Sequence, residues 1–114
     1  MGKLQALTAL RDKVKAGKWD GAYEDTRACG FNNTHSYGLN RSGFLWDAYN
    51  GSLDAAKALH EAVLPGWGYE ICNGAEVTLR QYSKKIIFKN VCPARAWLLA
   101  ILDALIAQEG TGNE

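Results

Sequence analysis

Between Pro93 and Gln108 the chain carries Trp97, Leu98, Leu99, Ile101, Leu102, Leu105 and Ile106 among several alanines, and its only charges there are Arg95 and Asp103. At helical spacing these side chains are apolar nearly all round, and such a helix is stable when it is buried on most sides. Pro93 suits the first helical turn, where its missing N–H leaves no bond unmade, and Gly110 follows the end near Gln108. The apolar run from Ala94 to Ala107 is interrupted by charge and is shorter than the ~20 residues a membrane span needs. The rest of the chain must therefore wrap it. The sequence predicts that it is the main packing partner of a sheet within a single domain spanning 1–114, with a tail fraying from about residue 110.

Two further helices are legible. From Lys3 to Ala16, Leu4, Leu7, Leu10 and Val14 recur at helical spacing, basic residues crowd the last turn, and Gly17 supplies a left-handed stop. Ser52 is an N-cap with Asp54 in the first turn, after which Ala55, Ala56, Leu59, Ala62 and Val63 share one side and Pro65-Gly66 ends the run. Between these helices, Ala22 to Cys29 reads as a short helical turn and Phe31 to Arg41 as loop. Gly43 to Trp46 reads as a short strand.

Strand-like runs follow at Trp67 to Cys72, Ala75 to Tyr82 and Ile86 to Lys89. A two-residue Asn73-Gly74 turn would pair Cys72 with Ala75. A three-residue loop pairs Ile71 with Ala75 and puts Tyr69, Ile71, Val77 and Leu79 on one apolar face, which is the better burial. That register sets Glu70 opposite Glu76, a like-charge pair that Arg80 or Lys89 could relieve. A Lys84-Lys85 turn then adds Ile86 and Phe88 to the apolar face, leaving Glu70, Glu76, Thr78, Arg80, Tyr82 and Lys89 on the other. The class is α+β, with a small antiparallel meander of three or four strands.

Composition narrows the function. Thirteen basic against twelve acidic residues give a net charge of +1, which excludes a strongly charged nucleic-acid or membrane binder. Met1-Gly2-Lys3 leads straight into an amphipathic segment without a signal-peptide core, and Cys29, Cys72 and Cys92 are odd in number and widely spaced. The expected setting is the cytoplasm, with reduced thiols.

The segment from Asn50 to Leu59 contains Ser52-Leu53-Asp54-Ala55-Ala56. It is followed by Pro65-Gly66-Trp67-Gly68-Tyr69 and, later, by Cys92-Pro93-Ala94-Arg95-Ala96-Trp97-Leu98-Leu99. In that order the segments resemble the small phage and prophage proteins grouped as the phage ABA sandwich domain, over residues 50 to 108. The resemblance implies a three-layer α-β-α sandwich encoded by a phage or prophage. It implies no reaction, because the family has no agreed activity or catalytic residues.

Chemistry-bearing motifs are few. His60-Glu61 lacks a second His, His35 stands in a loop, and neither a P-loop nor a Gly-rich dinucleotide motif is present, so no metal or cofactor is expected. Cys29 or Cys72 with His35 or His60 would be needed for a Cys/His enzyme, whereas His60 on an apolar helix side reads as a hydrogen-bonded structural residue. Binding is the leading function, to a host protein or a small ligand, through aromatic residues of the loop-rich middle: Tyr37, Trp46 and Tyr49. Nucleic-acid or nucleotide binding is the alternative, through Arg80, Tyr82, Lys84, Lys85 and Lys89. A homo-oligomer is open through Leu99, which shares a side of the last helix with Asp103.

Overall fold

The structure is a computed structural model that describes residues 2–21, 25, 28–29, 41–72, 76–82, 84–90 and 92–111, with the main chain alone at 41–42 and 109–111. Among the described residues four helices and a three-stranded sheet follow one another: α1 (Lys3–Ala16), α2 (Arg41–Tyr49), α3 (Leu53–Val63), β1 (Gly68–Cys72), β2 (Glu76–Gln81), β3 (Lys84–Lys89) and α4 (Pro93–Thr111). The fold is α+β, with the C-terminal helix packed on an antiparallel β1-β2-β3 meander.

Helix ends follow local chemistry. Gly17 closes α1 at φ 70°, with its own N–H on the Val14 carbonyl and the Lys18 N–H on that of Lys13. This is the Schellman arrangement, which glycine enters without a Cβ clash. The same arrangement recurs at Gly51 (φ 109°), whose N–H reaches Ala48 while that of Ser52 reaches Asp47. Ser52 then caps α3, its Oγ accepting the Ala55 N–H at 3.0 Å. The span expected as a strand, Gly43 to Trp46, is helical. Leu45, Ala48 and Tyr49 are buried at i, i+3, i+4 spacing, a period that four residues were too few to reveal. The helical turn expected from Ala22 and the loop expected from Phe31 fall largely outside the described residues.

The sheet carries the expected faces in a shifted register. β1 pairs with β2 as Ile71↔Val77 and Glu70↔Thr78, two residues from the expected pairing, and a three-residue connection now follows Cys72. A shift of two keeps every side chain on its face. It also removes the Glu70–Glu76 opposition: Glu70 meets Arg80 at 3.7 Å and Glu76 meets its cross-strand partner Lys89 at 3.4 Å. The second connection is likewise two residues earlier than expected. Gln81 pairs with Lys84, so Tyr82 opens the connection and both lysines belong to β3. Val77, Leu79, Ile86 and Phe88 form the face toward α4. The other face is exposed at Glu70, Arg80, Lys85, Ile87 and Lys89, while Thr78 at its centre is buried.

Helix α4 is the middle layer. It packs on β2 and β3 on one side and on α1, α2 and α3 around the rest, with the unbroken run from Ala96 to Leu102 buried. It continues past the expected stop near Gln108, through Gly110 to Thr111. Its three strongest polar groups each engage a different helix. Asp103 accepts from Arg11 of α1 at 3.1 Å. Arg95 donates from Nε and a terminal nitrogen to the Tyr49 carbonyl at 3.2 and 2.9 Å, at the C-terminus of α2. Trp97 Nε1 donates to His60 of α3 at 3.1 Å. The side of α4 that carries Leu99 and Asp103 is therefore the α1 contact. Leu99 is buried, which removes it as a subunit contact.

Arg95 bonds carbonyl oxygen at the negative end of the α2 dipole, and a charged donor in such a place is worth roughly 1.5–3 kcal/mol. Arg95→Ala should lower the unfolding free energy in urea by about 2 kcal/mol, and Arg95→Lys, which lacks the two-pronged grip, should recover less than half of that loss.

Candidate functional site

The β2–β3 turn gathers four of the five residues of the expected basic set. Arg80 lies directly across from Lys85 and Gln81 from Lys84, with Tyr82 in the two-residue turn beyond them. Tyr82 is fully exposed and adopts φ 55°. Arg80 has the Glu70 carboxylate for company at 3.7 Å, whereas Lys84 and Lys85 have no ion-pair partner among the described residues. Lys89 stands apart: it sits at the opposite end of β3, neutralised by Glu76, so it does not belong to this cluster.

The aromatic set behaves differently. Tyr37 lies outside the described residues. Tyr49 is buried, stacked on Trp46 at 5.8 Å and met edge-on by Trp19 at 5.3 Å, with the Arg95 guanidinium 4.2 Å from its ring centre. Tyr49 is thus a packing residue, held by edge and stacking geometry that aromatic rings favour. Trp46 keeps 41% of its surface in solvent, but its ring also closes on Gly21, where a Cβ would lie 2.7 Å away. The Trp19 and Trp67 indole N–H groups are buried without a partner among the described residues.

A third surface escaped sequence reasoning. Tyr69 and Ile71 belong to the apolar face as expected; the Tyr69 ring packs on Trp97 of α4 at 4.6 Å and on His60 of α3 at 5.0 Å, yet Tyr69 and Ile71 stay 41% and 38% exposed because α4 lies mainly over β2 and β3. Among the described residues strand β1 is also an edge of the sheet without a further strand beside it. The opposite edge, β3, carries Lys84, Lys85 and Lys89, the charge that guards an edge against strand addition, whereas β1 carries one charge, Glu70. Alternation tells which face a side chain takes, and the width of sheet one helix can cover decides which of those side chains are reached.

His60 is structural. Trp97 Nε1–H can only donate, so Nδ1 accepts it and Nε2–H donates to the Trp67 carbonyl at 2.9 Å. Both ring nitrogens are engaged, and burial holds the imidazole below its ordinary value of 6.5. The thiols are not poised for attack: burial, then the charge of Asp25, pushes Cys29 up to about 11. Partial burial and the neighbouring Glu70, which accepts the Cys72 S–H at 3.7 Å, raise Cys72 as well. His35 lies outside the described residues. Among the described residues no three His, Cys, Asp or Glu gather as a metal set, and no helix is long and apolar enough to cross a membrane.

No protein-family model matches this chain, and neither does any curated protein or solved structure.

The neutral state of His60 makes stability depend on pH. The unfolded chain takes up a proton near pH 6.5 that the folded chain refuses, so this contribution is complete above that pH and is lost as pH falls toward the lowered folded value. Urea unfolding between pH 7.5 and 5 should show that decline. His60→Gln, which keeps a donor and an acceptor without titrating, should flatten it, and parallel profiles for the two proteins would contradict the assignment.

Proposed function

We propose that this chain is a phage- or prophage-encoded accessory protein that acts by binding a host protein, without catalysis, in the host cytoplasm. The observation that carries the reading is the edge strand β1, which no other strand pairs on its outer side among the described residues, unguarded by lysine or proline and bordered by half-exposed Tyr69 and Ile71. An extended segment of a partner would add there as a fourth strand. Its main chain would bond to the outward N–H and C=O groups of β1, and its alternate apolar side chains would continue the face of Tyr69 and Ile71. The resemblance of residues 50 to 108 to phage proteins supports the origin. The engaged ring of His60 and the raised thiols of Cys29 and Cys72 favour binding over nucleophilic chemistry.

Affinity capture from host lysate tests this when run with three baits. The unaltered chain and Leu53→Lys, a change at an equally exposed apolar residue away from the edge, should retain the same partner, and Ile71→Lys should lose it. Retention by Ile71→Lys at the level of the unaltered chain would remove β1 as the binding edge.

A further inference from the structure

The β2–β3 turn is hard to explain by folding alone. A two-residue hairpin turn needs φ above zero at its first position, which favours Gly, Asn or Asp, and a bulky residue there is unusual. Tyr82 takes that conformation with its whole surface in solvent, so neither backbone preference nor packing accounts for a tyrosine. Next to it Arg80 and Lys85 oppose each other directly, a like-charge cross-strand pair on one face of the sheet, and Lys84, paired with Gln81, adds a third cation on the opposite face. Only one carboxylate, that of Glu70, comes near the cluster among the described residues, and it meets Arg80 alone. The left-handed backbone of Tyr82 and the like-charge pair next to it, offset only at Arg80 among the described residues, coincide at one projecting ring, and such features concentrate where a ligand supplies the missing contacts.

The ligand that matches a solvent-facing aromatic ring at a hairpin tip, with cations on both strands next to it, has flat, stackable groups on an anionic backbone. We propose that the β2–β3 turn binds single-stranded nucleic acid, with a base stacked on Tyr82 and backbone phosphates paired with Arg80, Lys84 and Lys85. Single strands expose base faces to such a ring, whereas a duplex hides them in its stack. An anionic membrane fits less well, because the turn offers one aromatic ring and little other apolar surface. This site is separate from the β1 edge and does not depend on the protein-binding reading.

Fluorescence anisotropy of labelled fifteen-nucleotide oligo-dT and oligo-U, with the full chain at low salt, tests the proposal. Contacts to about three phosphates predict that log K falls against log salt with a slope of about −2 for a single strand. Lys84→Gln with Lys85→Gln should shrink that slope to about −0.7. Tyr82→Ala should weaken binding about five-fold or more, in line with the loss of one stacked base. Tyr82→Gly should weaken binding equally while its melting temperature stays level or rises, since glycine accepts the left-handed conformation; that separates a ligand contact from a structural role. The proposal is overturned by absence of binding at 20 mM salt, by unchanged affinity in both Tyr82 variants, by equal affinity for a duplex of the same length, or by binding only to phosphatidylserine vesicles.

Discussion

The fold depends on burying one helix that has almost no polar side. Every other element of the described structure is positioned by what it does for α4: β2 and β3 supply a floor of Val77, Leu79, Ile86 and Phe88, and three helices close the remaining sides. Hydrophobic burial is not directional, so it alone would let those helices slide and rotate. Direction comes from the few polar groups on α4. Asp103 fixes α1 through Arg11, Arg95 fixes the end of α2 through the Tyr49 carbonyl, and Trp97 fixes α3 through His60. Each polar group meets a complementary one, as burial demands.

The same arrangement sets where the surface is left free. A single helix lies mainly across two strands, and the third strand, β1, keeps its apolar side chains partly in solvent, with no strand beyond it among the described residues. Tyr82, in the β2–β3 turn, is fully exposed. The two candidate binding surfaces are thus parts of the sheet that α4 covers incompletely, while His60 is engaged at both nitrogens and the buried thiol of Cys29 is held protonated at neutral pH.

Much of this was legible in the residues. The all-apolar run after Pro93, the stripe Leu7, Leu10 and Val14, the Ser52 cap and the face alternation of the strands each follow from a strong local period or a specific end signal. Register was not legible, because slips of two residues preserve every face and differ only in cross-strand charge; the observed pairing is the one that gives Glu76 a lysine in place of a glutamate. Helix α2 was misread since Phe44, Leu45 and Trp46 favour strands over so short a window, and tertiary burial of Leu45, Ala48 and Tyr49 outweighs that preference. Of the candidate sites, the cations flanking Tyr82 were visible in the chain. The burial of Tyr49 and the exposure of Tyr69 and Ile71 were not, since both depend on how far α4 and α2 reach.

Native-state hydrogen exchange puts the role of α4 to the most direct test. Amides of Leu98 to Leu102 should exchange only through global unfolding, with opening free energies equal to that from urea denaturation, while those of Tyr69 to Cys72 open at lower energy. If the α4 amides instead exchanged through a partial opening, as readily as those of β1, the helix could not be the element around which the remainder is ordered.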